Sequence, residues 1–154
     1  DYKIQNGDCL LFDFGATVNG YHSDITRTFF VNRITEEERN MYEVVLKANK
    51  KGREVSKPGM SMHDLDDGVT KVLEDSAYKD FIVHKTGHGL GMDVHEDPYV
   101  MRKNYELLEK GMIITIEPGL YKDKYLGIRI EDDVLITDKG CKSLTSFDRD
   151  LRVI

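Results

Sequence analysis

The stretch from Asp13 to Phe29, DFGATVNGYHSDITRTF, decides the fold, because it reads as a β-hairpin that carries acids where a strand should be apolar. Asn19-Gly20 is a strong signal for a tight hairpin turn, and Cys9–Phe14 (CLLFDF) and Ile25–Val31 (ITRTFFV) flank it as strands. With the turn centred on Asn19-Gly20, and no bulge, Asp13 falls opposite Thr26 and Asp24 lies diagonally beside it on the same face.

The pattern recurs near the other end of the chain. Met112–Tyr121 (MIITIEPGLY) and Gly127–Thr137 (GIRIEDDVLIT) are apolar runs joined by the polar KDKY, a second antiparallel hairpin, and a turn about Lys124 sets Glu117 opposite Glu131. Asp13, Glu117 and Glu131 all occupy positions at which the strand pattern predicts burial. A bare carboxylate is expensive to bury. One such acid could be an ion pair, but several call for a common cause. Clustered carboxylates repel unless they are protonated or neutralised by a cation, and oxygen-rich sites with an imidazole suit hard or borderline divalent metals.

The imidazole has three candidates in Ile82–Pro98, IVHKTGHGLGMDVHEDP. Gly87, Gly89 and Gly91 alternate around His88, which lets the backbone approach a ligand or another strand and leaves that imidazole uncrowded. His88 is therefore the best single ligand candidate, while His84 and His95 could stand beside a metal as hydrogen-bond donors to a reacting carbonyl.

Between the two β regions the period changes to helical. TEEE at 35–38 offers Thr35 as N-cap with Glu38 three residues on, followed by Met41, Val44, Val45 and Ala48 and an end near Val55, before Pro58-Gly59. A second helix covers Ser61–Leu73, with Met62, Leu65, Val69, Val72 and Leu73 on one face. Met60 and Met62 read as packing residues, and His22 and His63 as solvent-facing.

The 154 residues are expected to form one domain, with 40% hydrophobic and 32% charged residues, as in an ordinary soluble globular protein, and no apolar run of membrane-spanning length. A net charge of −6 with interspersed signs argues against a nucleic-acid partner. Cys9 and Cys141 are isolated, so free thiols in a reducing, cytoplasmic compartment are expected.

Taken together, DFGATVNGYHSDITRTF, HKTGHGLGMDVHEDP, GMIITIEPGLY and GIRIEDDVLIT resemble, in order and over nearly the whole chain, the metallopeptidases of the pita-bread fold: Xaa-Pro aminopeptidases, prolidases and methionine aminopeptidases. The resemblance implies an α+β fold with a curved, mostly antiparallel sheet and helices on its outer face. It also implies two divalent metal ions, manganese first and cobalt or zinc as substitutes, held by Asp13, Asp24, His88, Glu117 and Glu131. Asp24 and Glu131 are expected to bridge the metals, Glu117 to shuttle a proton, and His84 and His95 to contact substrate; Tyr121 and Arg129 match positions that support the ligands.

IEPGLY and IRIED look like the proline-specific branch, with a substrate that carries proline in second position, because methionine aminopeptidases usually lack the equivalent of Arg129. Lys85, directly after the first histidine, departs from that branch. Family catalytic domains begin upstream of Asp1, so the chain is expected to be the C-terminal portion of one, and a homodimer is common among them. The alternatives are a methionine aminopeptidase and, from another class, a non-catalytic binding module of the same fold.

Overall fold

Both hairpins form, and both are interrupted, the first at Asp24 and the second at Glu117 and Glu131. In the computed structural model, which describes residues 1–154, β1 (Cys9–Phe14) pairs antiparallel with β4 (Ile25–Phe30), and β2 (Thr17–Val18) pairs with β3 (Tyr21–His22) at the tip. Asn19 and Gly20 adopt φ of 51° and 84°, as the turn requires, and Asp13 lies opposite Thr26. The ladder lapses between the two pairs. There the Ser23 hydroxyl accepts from Ala16 N (3.1 Å), and a side chain at Gly15 would collide with the Ser23 carbonyl.

The second hairpin, expected as one ladder, is likewise two. β7 (Ile113–Ile116) pairs with β10 (Asp132–Ile136), and β8 (Gly119–Lys122) pairs with β9 (Leu126–Arg129), in one continuous register. The gap holds Glu117-Pro118 on one side and Ile130-Glu131 on the other. Pro118 has no N–H to donate across it. Ile130 N still donates to Pro118 O (3.4 Å), and the amides of the non-hydrogen-bonded pair Glu117 and Glu131 face other elements: Glu117 N donates to Thr86 O (2.8 Å) and Glu131 N to Thr26 O (3.2 Å). The last of these bonds joins the two hairpins.

β7 and β10 belong to a five-stranded antiparallel sheet of order β11–β10–β7–β5–β6, completed by β5 (Gly87–Gly89), β6 (Glu96–Val100) and β11 (Cys141–Ser143). Gly87 and Gly89 are needed for the spacing of strands: a Cβ would lie 2.0 Å from Thr115 O at the first and 2.6 Å from Asp97 O at the second.

The helices follow the sequence closely. α1 (Glu36–Val55) starts in a full capping box between Thr35 and Glu38, and α2 (Met62–Glu74) is capped by the Ser61 hydroxyl. α1 buries Met41, Tyr42, Val45, Ala48, Asn49 and Gly52 against the sheet; Val44 is half-buried. Met62 is core and Met60 packs against it. Cys9 and Cys141 are free thiols. No helix is long and apolar enough to cross a membrane.

Two expectations about burial fail here, and a third, for His22, fails at the site described below. Asp13 is not buried but 46% exposed in its side chain: its half of β1 lies in a two-stranded ribbon and lines an open cavity, where it pairs with Arg129, while Phe12 and Phe14 on the opposite face of the strand are exposed too. His63 is half-buried rather than solvent-facing: its Nδ1 accepts from Lys103 N (3.1 Å) and its ring lies against Tyr105.

The gap in the second hairpin is braced from behind. Asp132, with a side chain 0% exposed, is paired to Arg27 (2.8 Å), Arg149 (2.7 Å) and Arg53 (3.5 Å) and accepts from Thr145 Oγ1 (2.6 Å). Arg27 in turn donates to the backbone carbonyl of Glu131 (2.5 Å). Asn49 Nδ2 lies 3.0 and 3.2 Å from the Ile116 and Ile130 carbonyls, the second of which faces Pro118 and so has no ladder donor.

Removing one partner from such a buried network leaves uncompensated charge, so Arg27→Met should lower the unfolding free energy by about 3 kcal/mol. Urea denaturation beside the exposed-site control Lys142→Met, expected within about 0.5 kcal/mol of the parent, checks this.

Candidate active site

The interrupted ladders open onto one cavity of ≈ 560 Å³, whose walls include Asp13, Asp24, His88, His95, Glu117 and Arg129. Glu131 is buried beside it, 2% exposed, with Oε2 accepting from Thr26 Oγ1 (2.5 Å). Ligand atoms of Asp24, His88 and Glu131 all lie within 4.8 Å of one another. The five predicted ligand positions thus converge, drawn from both hairpins and from β5.

His88 defines the polarity of the site. Its Nδ1 lies 3.0 Å from the Gly89 carbonyl, which can only accept, so Nδ1 carries the proton and Nε2 presents a lone pair. That lone pair faces Glu117 Oε1 at 3.3 Å and Asp24 Oδ2 at 3.9 Å. Burial disfavours an imidazolium here and holds the His88 pKa below its ordinary value. A lone pair directed at carboxylate oxygens needs a proton or a cation between them.

The acids report the same deficit. Burial first, and then the charge of Glu117, push Glu131 up to about 9; burial pushes Glu117 up to about 7; and burial, with Asp13 next, raises Asp24. Oxygen donors with one neutral imidazole, each disfavouring ionisation of the next, match the donor set for divalent cations.

The remaining predicted residues form a chain along one wall. Arg129 pairs with Asp13, donates to Thr26 Oγ1 (3.0 Å) and, through NH1, to the Tyr121 hydroxyl (3.0 Å), which lies 2.9 Å from His84 Nε2. His84 Nδ1 must donate to Lys85 O (2.8 Å), so Nε2 accepts from Tyr121 and both nitrogens are engaged within the protein. His95 is the exposed one: its ring lies 4.2 Å from that of His88, centroid to centroid.

Four residues escaped the sequence reading. His22, expected to face solvent, is half-buried and lines the cavity, because its backbone N–H donates to Gly91 O (2.9 Å), which brings β3 against the glycine-rich segment, and Thr17 Oγ1 holds its Nδ1 at 3.0 Å. Thr115 Oγ1 accepts from His88 N (3.1 Å) and donates to Glu117 Oε1 (3.3 Å). Asp133 accepts from Asp24 N (3.1 Å), and Asp66 on α2 accepts from Thr86 N (2.9 Å), fixing the residue whose carbonyl binds Glu117 N. The run EDD at 131–133 was the available signal for Asp133, since β-alternation cannot put three successive acids in solvent.

Comparison with known proteins identifies the family of the chain. The Xaa-Pro dipeptidase of Pyrococcus furiosus is 44% identical over 151 residues, covering 98% of this chain and 43% of that protein. Among solved structures, the prolidase from Pyrococcus horikoshii OT3 superposes with a TM-score of 0.95 at 43% identity, covering 97% of this chain and 43% of that one. The X-Pro aminopeptidase from Thermotoga maritima superposes at 0.94 with 34% identity, covering 98% and 42%. The chain thus spans about two fifths of the length of these relatives, with the α+β pita-bread fold they share. The profile of metallopeptidase family M24 matches residues 1–138, and the chain belongs to that family.

Proposed function

We propose that the protein is a dinuclear metal-dependent exopeptidase that hydrolyses the bond before proline, as an Xaa-Pro dipeptidase or aminopeptidase. The observation that carries the reading is the convergence of Asp24, His88 and Glu131, whose ligand atoms lie within 4.8 Å of one another, with Glu117 Oε1 3.3 Å from His88 Nε2, an arrangement that calls for positive charge at its centre. Membership of a peptidase family, with an Xaa-Pro dipeptidase among the relatives, supports the substrate class. Free thiols at Cys9 and Cys141 are consistent with a cytoplasmic setting.

In this reading Asp13, Asp24, His88, Glu117 and Glu131 hold two divalent cations, manganese by preference because most donors are carboxylates. The cations would supply Lewis acidity, polarising the scissile carbonyl and acidifying a water. Glu117, on the cavity wall beside His88, carries a proton from water to the leaving amine. His95, unengaged on the cavity wall, donates to the carbonyl oxygen as charge develops on it. His84 can do the same only by exchanging its bond to Tyr121 for one to substrate, which makes Tyr121 and Arg129 its positioning partners. Arg129 also holds Asp13 in place.

In the manganese-loaded intact protein, Xaa-Pro peptides should be cleaved and Met-Ala-type peptides left largely intact; the opposite preference would make it a methionine aminopeptidase. Glu131→Ala should reduce bound metal as well as rate, whereas His95→Ala should keep its metal and lose about 3 kcal/mol of transition-state stabilisation, on the order of a hundredfold in kcat/KM. Metal content and kinetics measured on the same samples separate the two roles, and loss of metal from His95→Ala alone would reverse the assignment.

Proton and metal should also exchange. Glu117 and Glu131 have folded pKa values raised from an ordinary 4.5, so without metal the stability they contribute is complete below that value and is lost as pH rises through about 7 and then about 9. Metal-free protein should therefore melt lower at about pH 9 than at about pH 6, and added manganese should raise the melting temperature more at the higher pH, where fewer protons compete. Calorimetric scans with and without metal provide the check.

A further inference from the structure

His22 lines the cavity two residues before Asp24, without belonging to the five ligand positions or to the pair His84 and His95. Its place is fixed from two sides. The backbone N–H donates to Gly91 O (2.9 Å), and Nδ1 lies 3.0 Å from the hydroxyl of Thr17, the residue opposite it in the β2–β3 ladder. Beneath it, Ser23 N donates to Ala16 O (2.9 Å) and Ala16 N to Ser23 Oγ (3.1 Å), which ties the tip to the base of the hairpin. Nε2 has no partner in the protein. The ring is half-buried, and with one nitrogen engaged the other is left for whatever enters the cavity.

The substrate class proposed above indicates what that is. In an Xaa-Pro peptide the free ammonium and the Xaa side chain leave the same Cα, before the scissile bond, while proline lies beyond it. Asp13 and Asp24 attract the ammonium. The side chain on that Cα then meets the wall next to Asp24, where the lining residues closest in the chain are Ser23 and His22, and two residues of extended chain span only about 7 Å. The Ser23 hydroxyl is engaged by Ala16 N and the Thr17 hydroxyl by His22 itself. Nε2 of His22 is the polar atom left open on that wall.

An apolar side chain finds little there, since Ala16 and Val94 are the only hydrophobic residues lining the cavity. A ring nitrogen that loses water without gaining a partner is penalised, so a side chain able to hydrogen-bond is favoured over one of the same shape that cannot. Nε2 donates in one tautomer and accepts in the other, and hydroxyl and amide groups answer either. We infer that His22 is a specificity-determining residue that selects peptides whose residue before proline carries a hydroxyl or amide side chain. The inference rests on the Xaa-Pro reading of the site.

The test compares Thr-Pro with Val-Pro and Asn-Pro with Leu-Pro, pairs close in shape that differ in hydrogen-bonding capacity. All four are offered to the manganese-loaded intact protein and to its His22→Phe and His22→Gln variants, with bound metal measured on the same samples. The parent should favour the polar member of each pair by about fivefold in kcat/KM, the effect of one hydrogen bond at a half-buried position. His22→Phe keeps a ring but removes both nitrogens, and should bring both ratios to about one, chiefly by slowing the polar substrates, with metal content as in the parent. His22→Gln, whose amide can stand in for Nε2, should retain the preference. A parent that cleaves both members of each pair equally, or favours the apolar ones, overturns the role of His22 while the Xaa-Pro reading stands. A loss of metal from His22→Phe, or an equal loss on all four substrates, marks the ring as structural and overturns the role too. Failure to cleave any of the four removes the Xaa-Pro reading and the inference with it.

Discussion

The fully buried ion pair between Arg27 and Asp132 is the constraint on which the rest of the site depends. Arg27 comes from the first hairpin and Asp132 from the second, so the pair fixes how the hairpins meet. It also reaches the chemistry directly, since Arg27 holds the backbone carbonyl of Glu131 and Thr26, one residue before it, bonds the Glu131 side chain. Asp132 can remain ionised at no exposure because Arg149 and Thr145, with Arg27, hold its pKa below the ordinary value against the opposing effect of burial. Adjacent acids on one strand therefore have opposite fates: Asp132 is compensated by the protein, whereas Glu131 is left to be compensated by something else.

That contrast separates structural acids from candidate functional ones. Asp66 accepts backbone amides of Thr86 and Arg102, and Asp132 is surrounded by guanidinium groups. Glu131 and Glu117 receive a single hydroxyl each, from Thr26 and Thr115, and Arg129 reaches Glu131 only at 4.0 Å. Folding keeps them under-compensated at a cost in stability, which is a reason to expect a ligand rather than a deficiency of packing.

Most of this was legible in the sequence because it rests on local rules. Asn19-Gly20 fixed the first hairpin's register through turn geometry, Thr35 with Glu38 fixed the start of α1, and acids in apolar runs gave Glu117 and Glu131. The burial of Asp13 was misread because alternation describes a strand covered on one face, and that half of β1 is uncovered. His22, Thr115 and Asp66 were missed for the complementary reason: each acts through a partner in another element, Thr86 in the case of Asp66, and no spacing within the sequence encodes that contact.

The interruption of both hairpins at the acids links fold to chemistry. In the register of the second hairpin Ile136 N donates to Met112 O (2.8 Å) and Ile130 N to Pro118 O (3.4 Å), which makes Glu117 and Glu131 a non-hydrogen-bonded pair whose amides point away from one another. Glu117 N bonds to Thr86 O and Glu131 N to Thr26 O, so each acid is positioned by an element that also supplies other residues of the site. Thr86 stands between Lys85 and Gly87, two residues before His88, and Thr26 stands two residues after Asp24. Asn49 on α1 approaches the carbonyls of Ile116 and Ile130, and Arg27 takes that of Glu131. Three segments distant in sequence are thereby held in register by backbone bonds, which are stiffer than side-chain contacts, and the acids they carry can be kept close together despite their mutual repulsion.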